Sequence, residues 1–407
     1  MNAIKSLSRI TVAASMVMLA AATHADVVAD WNLKANDIVL AGKLGPPPAY
    51  RAMAITQVAV FEAVNAITGR YAASGRVAQE PAPGASVDAA VAAATRGTLG
   101  KLLPAQQPEI DAAYRAALAA VPDGPARSAG IAVGEKAAAA TLALRGGDGA
   151  AAPDSYVPFT MPGVYVPTAS PAVPHWGKRK TWVLVSGEQL RPDAPPALSS
   201  ELWVRDYNEI KALGGKASTQ RSATQTEIAR FWESTQPVIY YTLARAVALQ
   251  PGREVTQNAM LLAAVGIAMD DALVAIFDAK YAYNFWRPVT AIRNGDKDGN
   301  DATERDPMWT PFIDTPMHPE YPCAHCVVSG SLGAVLQAEI GNGPMPRLTS
   351  TSPTAPGVTR SWASIGEFTE EVANARIYDG VHFRNSTEVG TAMGRKIGEM
   401  VAAKVLR

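Results

Sequence analysis

The residues of this chain that could do chemistry gather in its last third. Tyr321-Pro322-Cys323-Ala324-His325-Cys326 stands between two further pairs, Lys280 with Arg287 upstream and Arg376 with His382 downstream. Three cations and two imidazoles, drawn from an otherwise Ala-rich chain, are the inventory of a site for a tetrahedral oxyanion. The cations would neutralise its charge, and the imidazoles would move a proton or bond its central atom.

Each pair also has a plainer reading. On one continuous helix, Lys280 and Arg287 return to nearly the same face two turns apart, beside Phe277, Tyr281, Phe285 and Trp286. Two cations buried there need an anion. A snorkelling Lys and a surface Arg at a helix C-terminus need none. His325 follows Pro322 where a helix should begin, so the amides near Ala324 could hold an anion while His325 exchanges a proton. Alone, such a histidine is structural. Gly380 lies between Arg376 and His382 and is expected to end a helix there, letting His382 turn back into the bundle.

The elements that must position these groups are helices. Apolar residues at Ile55, Val58, Phe61, Val64 and Ile67 predict a helix from Ala49 to Ile67, closed by Gly69. Ala-rich helices follow at Val87 to Leu103, Glu109 to Val121 and Ala126 to Leu144. Nine prolines between Pro153 and Pro196, with a β-like run at Thr181 to Val185, predict a long surface crossover between two helical halves. Helices then resume at Ser200 to Leu213, Ala223 to Glu233 and Val238 to Leu249. The longest pattern runs from Glu254 to Trp286, where Pro288 is expected to stop it. The last three are Ala324 to Ile340, Glu367 to Tyr378 and Thr387 to Val405. With no heptads, solenoid repeats or βαβ alternation, the expected fold is all-α, two packed helical bundles with the oxyanion site in the core of the C-terminal one. Its divisions are an N-terminal half over 26–145, the crossover over 146–199 and the C-terminal bundle over 200–407.

Composition narrows the class of function. Residues 1–25 carry Lys5 and Arg9, an apolar run from Ile10 to Ala22 and a small residue at Ala25, the pattern of a secretory leader too short to span a membrane. The leader holds two of the 37 basic residues and none of the 37 acidic ones, so the remainder has formal charge −2. A near-neutral chain offers nothing to nucleic acid. No later segment reaches 18 uninterrupted apolar residues, so no membrane span is expected and the protein reads as soluble and exported, periplasmic or secreted.

Three other features of the last third carry readings of their own. Cys323 and Cys326 form a C-x-x-C pair that export would allow to oxidise. Without a βαβ pattern, a static disulfide or two packed thiols is favoured over a redox centre. Asp296-Lys297-Asp298-Gly299-Asn300-Asp301 has its glycine too early for a calcium loop and reads as a solvated turn. His318, seven residues before His325, is a candidate additional site residue on a loop.

Together, Lys280-x6-Arg287-Pro288, Pro322-Cys323-Ala324-His325 and Arg376-x5-His382 resemble the three-part signature of the superfamily of vanadium-dependent haloperoxidases and type 2 phosphatidic acid phosphatases. The runs Arg287 to Arg293, Trp309-Thr310-Pro311 and Phe61 to Ile67 look like its exported bacterial haloperoxidase-like branch. The resemblance implies vanadate, or phosphate in the same site, with Lys280, Arg287 and Arg376 on the equatorial oxygens and the Ala324 amide beside them. It implies His382 as the vanadium ligand or the phosphorus nucleophile, and His325 as the acid-base group. The implied activity is halide oxidation by hydrogen peroxide; the alternative is hydrolysis of a phosphate ester through a phospho-histidine. The chain departs from the usual Pro-Ser-Gly-His by Cys323 and Ala324. A thiol is a weaker donor than a hydroxyl and Ala a stiffer residue than Gly, which leaves a third reading, an anion-binding or redox-responsive protein without turnover.

Overall fold

The computed structural model describes residues 26–77 and 79–406, and the leader expected over 1–25 lies outside them. Thirteen α-helices and one hairpin occupy the described residues: α1 Val27–Ala41, α2 Pro46–Thr68, α3 Val87–Leu102, α4 Gln107–Ala119, α5 Pro125–Arg145, α6 Glu201–Leu213, α7 Ala223–Phe231, α8 Pro237–Ala248, α9 Val255–Tyr283, α10 Pro288–Arg293, α11 Ala324–Ile340, strands β1 Leu348–Ser352 and β2 Ala355–Trp362, α12 Ile365–Tyr378 and α13 Arg384–Val405. The expected all-α class holds, with α1, α10 and the antiparallel β1–β2 pair as additions.

Helix α9 is the axis. It is apolar on every face, as a helix surrounded by others must be, and nearly all of its residues are buried. By length and composition it is also the one described helix that could cross a membrane, but its apolar stretch is wholly covered by the rest of the chain. Helices α2, α8, α11 and α13 cover it, while α3 and α5 pack on α2. The ends of these helices follow local rules. Pro46 begins α2, since proline costs nothing in a first turn. Ser86, Ser200, Ser222 and Ser364 cap α3, α6, α7 and α12 through their hydroxyls.

One positional expectation fails. Lys280 and Arg287 do not share a helix, because α9 stops at Tyr283 and Asn284 takes the left-handed conformation, φ 49°. Asn tolerates that conformation better than other non-glycine residues. Pro288 does not terminate α9; it opens α10, with Arg287 as the residue before the first turn. A chain reversal, and not helical periodicity, therefore brings the two cations together.

The crossover is no idle loop. Asp271 of α9 accepts the backbone N–H groups of Trp182, Val183 and Leu184 at 2.7, 2.8 and 3.0 Å. The β-like run at Thr181 to Val185 is thus a turn wrapped around a carboxylate and not a strand. Asp270 beside it grips Arg179 with both oxygens. Farther along, Ala172 N donates to Met317 O at 2.6 Å and Tyr321 Oη to Asp193 O at 2.9 Å, so the crossover also braces the loop before α11.

Helices α11 and α13 touch backbone to backbone. A Cβ on Gly394 would lie 2.2 Å from Val327 O, and one on Gly398 2.3 Å from Ser331 O. This contact seats Cys323 N on Ser386 O at 3.1 Å, tying the start of α11 to the start of α13. Gly394→Ala should cost about 1–3 kcal/mol through forced separation of the helices. Urea unfolding measures it, and an unchanged midpoint would show that the interface yields freely.

Candidate active site

Three chain segments meet at the start of α11: the α9–α10 reversal, the loop from Met317 to Cys323, and the turn from α12 to α13. Gly380, at φ 79°, makes that turn, and His382 N then reaches back to Arg376 O at 3.2 Å, as expected for a helix closed by glycine. A cavity of about 390 Å³ opens where they meet, lined by Ala324, His325, Arg376, His382 and His318, with Phe277, Leu273 and Met317 on its apolar side. A larger cleft of about 720 Å³ among α1, α3 and α4 is lined mainly by alanines and surface charges and contains no histidine.

Of the three predicted cations, only Arg376 lines this cavity. Lys280 is fully buried behind it, and its ammonium donates to Pro319 O, Glu320 O and Pro322 O at 3.0, 2.8 and 2.5 Å. An ammonium has three protons, so all are spent. Burial, aided by the charge of Arg287, holds its pKa well below the ordinary lysine value. Here Lys280 pins the loop that carries the second motif.

Arg287 orders both neighbouring histidines. Its Nη2 lies 2.9 Å from His318 Nδ1 and its Nη1 3.3 Å from His382 Nε2, while Nε and Nη1 also donate to His318 O and Val381 O. A guanidinium only donates, so both ring nitrogens must accept. His382 therefore carries its proton on Nδ1, toward Glu320; His318 Nδ1 lies 2.9 Å from Arg287 Nη2 and 3.1 Å from Pro319 O, and acceptance from the closer guanidinium places its proton on Nε2. Burial, with Arg287 and Lys280 nearby, holds both imidazoles well below the usual histidine range, consistent with neutral rings. His318 thus joins the site, half-buried, its ring 5.2 Å from that of Phe277.

The unspent donors face the cavity. Ala324 and His325, in the first turn of α11, have backbone N–H groups with no acceptor among the described residues. Arg376 Nε and His325 Nε2 are buried without partners, although Arg376 Nη1 is held by Trp232 O at 2.8 Å and by Asp379. Burial first, then the charges of Arg376 and Lys280, keep His325 well below the usual histidine range. Buried donors without acceptors at the positive end of a helix are what an oxyanion would satisfy. The set fits vanadate or phosphate.

Cys323 takes the place of a capping serine. Its Sγ accepts from Cys326 N at 3.3 Å, and both cysteines are buried free thiols. Burial opposes a thiolate at Cys323, but its hydrogen bonds with Cys326 and the nearby Arg376 outweigh this and lower its pKa; burial pushes Cys326 well up. Ala324 occupies an ordinary helical position, so the missing glycine costs the turn nothing. The acidic loop before the site is a pinned turn, with Asp298 accepting from Trp203 Nε1 and Thr303 Oγ1 at 2.9 and 2.6 Å. Among the described residues, no cluster of three metal-binding side chains forms there or elsewhere.

Sequence reasoning missed two acids. Glu320 is fully buried, with Oε1 2.8 Å from His382 Nδ1; burial raises its pKa to about 7 against the pull of Lys280 and Arg287. Asp379 is likewise buried and raised to about 7 beside Arg376. The spacing of Arg376 and Asp379, three apart near a helix end, was a usable signal. Glu320 sits in a loop and had none.

The family model for the VCPO second helical-bundle domain matches residues 260–407, which take in every predicted site residue. Vanadium chloroperoxidase of Curvularia inaequalis is 26% identical over 192 residues, covering 39% of this chain and 31% of that protein. The match thus spans about a third of the length of that curated relative. Among solved structures, the first bacterial vanadium-dependent iodoperoxidase superposes with a TM-score of 0.79 at 25% identity, over 93% of this chain and 96% of the other. Residues 260–407 thus match the VCPO second helical-bundle domain, and the chain as a whole shares its fold with a bacterial vanadium-dependent iodoperoxidase. A holo bacterial vanadium-dependent chloroperoxidase shares the haloperoxidase fold at 17% identity, with a TM-score of 0.69 over 90% of this chain and 93% of the other.

Proposed function

We propose that this protein is a vanadate-dependent haloperoxidase, oxidising halide with hydrogen peroxide at an oxyanion seated against His382. The observation that carries this reading is the pairing of a neutral His382, its Nε2 lone pair held only by Arg287 at 3.3 Å, with unspent donors on Ala324, His325 and Arg376 around one cavity. Bound vanadate would supply the Lewis acid that activates peroxide toward halide. The protein supplies the rest. The α11 amides and Arg376 Nε would bind oxyanion oxygens, and His325 Nε2 is placed to take or return a proton. Lys280 and Arg287 contribute positive charge from behind; Lys280 would have to release a carbonyl to touch the anion, whereas Arg287 keeps one Nη2 proton uncommitted. Phe277, Leu273 and Met317 exclude water from one side. The leader read in residues 1–25 would place this chemistry outside the cytoplasm.

A second reading uses the same atoms. A neutral imidazole whose proton is held on Nδ1 is a ready nucleophile toward a phosphate ester, with His325 protonating the leaving group. One assay set separates the readings. Bromide and iodide oxidation by hydrogen peroxide should appear on adding orthovanadate to metal-stripped protein and vanish on removing it. Phosphate release from p-nitrophenyl phosphate, inhibited by orthovanadate and without halide oxidation, would replace the first reading by the second. Orthovanadate binding with neither activity would leave an anion-binding protein.

A further inference from the structure

Glu320 is held from three directions. Its N–H donates to Phe285 O at 2.9 Å and its own carbonyl accepts Lys280 Nζ at 2.8 Å. Its Oε1 accepts Phe383 N at 3.0 Å and meets His382 Nδ1 at 2.8 Å. One residue thus joins the α9–α10 reversal, the loop before α11 and the segment that carries His382. A carboxylate fixed in this way sets the plane of the imidazole. Ser386 Oγ, at 3.4 Å from the same Nδ1, is a much weaker partner. Glu320 Oε2 is buried with no partner, an arrangement that costs stability.

Arg287 also fixes the tautomer, because it donates to Nε2. That constraint ends when Nε2 bonds a central atom, since one lone pair cannot serve both. We infer that Glu320 is the positioning residue that keeps the proton on His382 Nδ1 and the Nε2 lone pair aimed at the oxyanion when Arg287 lets go. A carboxylate behind a ligating imidazole also raises its basicity, and loss of such a partner weakens metal affinity about 10–100-fold. This inference rests on the reading of His382 as the group that bonds the oxyanion.

The test reads tautomer and affinity separately. Nitrogen-15 NMR of labelled histidine should place the His382 proton on Nδ1 in the wild-type protein. In Glu320→Ala that tautomer should persist, since Arg287 still donates to Nε2, while orthovanadate affinity by calorimetry falls about 10–100-fold. Glu320→Gln keeps an acceptor at Oε1 and should retain the tautomer, with a smaller loss of orthovanadate affinity than the Ala variant. A wild-type proton on Nε2 would overturn the inference, as would equal losses in the Gln and Ala variants, or an Ala variant with unchanged affinity. The wild-type spectrum needs no variant, so the inference stays testable if Glu320→Ala does not fold. His382→Ala separates the two levels. Wild-type orthovanadate affinity in that variant would remove the underlying reading, whereas lost binding there beside unchanged binding in Glu320→Ala removes only the positioning role.

Discussion

His382→Ala is expected to abolish orthovanadate binding and to lower turnover by at least about a thousandfold, the scale seen when the group that carries a reaction is removed and only binding and charge remain. The expectation follows from geometry. His382 lines the cavity, its Nε2 accepts from Arg287 at 3.3 Å, and its Nδ1 proton is already committed to Glu320 at 2.8 Å. His325 cannot replace it, because His325 sits on a different helix, beside the α11 amides. His325→Ala should retain orthovanadate binding and lose about 10²–10⁴ in rate, as expected for a proton-transfer group. Urea unfolding must accompany both variants, since removing the His382 ring leaves Glu320 and Arg287 short of a buried partner. A His382→Ala protein that is folded and still turns over would end both enzymatic readings.

The second large effect is on stability and arises in a buried ion-pair network on α9, within one turn of the cavity-lining Leu273. Arg179 is fully buried and donates to Asp270 at 2.9 and 3.1 Å and to Asp148 at 3.0 Å, while Asp148 also receives Arg51 Nε at 2.8 Å and Arg145 Nη2 at 3.1 Å. Asp270 further accepts Trp182 Nε1 at 2.8 Å. Replacing Asp270 by alanine would leave three arginines sharing Asp148 in a dry interior. Breaking a buried pair from one side typically costs about 3–5 kcal/mol, and Asp270→Ala should fall in that range by urea unfolding. A loss below about 1 kcal/mol, the scale of an exposed pair, would mean that water reaches the cluster. Since this network fastens the crossover to α9, and the crossover braces Met317 and Tyr321, the variant should also weaken orthovanadate binding.

Much of the scaffold was legible because helix periodicity and stop signals act within a few residues. The start of α11 at Ala324, its end at Ile340 and the role of Gly380 are local events, set by Pro322 before the first turn and by a residue free to take positive φ. The hairpin of β1 and β2 was not read, because its strands are short and polar, with Pro353 in the turn and Pro356 and Gly357 in β2, residues that usually mark loops. Helix α1 was missed next to a leader whose apolar run dominates the N-terminal composition.

The sequence by itself determined the inventory of the site: which cations, which imidazoles, which thiols, and that a helix N-terminus would stand among them. Only the tertiary structure decided which of their donors are spent. Lys280 satisfies carbonyls about 40 residues away, Arg287 two histidines on either side of the cavity, and His382 a carboxylate 62 residues away. Hydrogen-bond satisfaction is a property of the folded neighbourhood, and periodicity reports only a turn or two along the chain. That is why two cations that look like anion ligands in sequence lie behind the wall, and why Glu320, silent in sequence, stands at the junction of all three motifs.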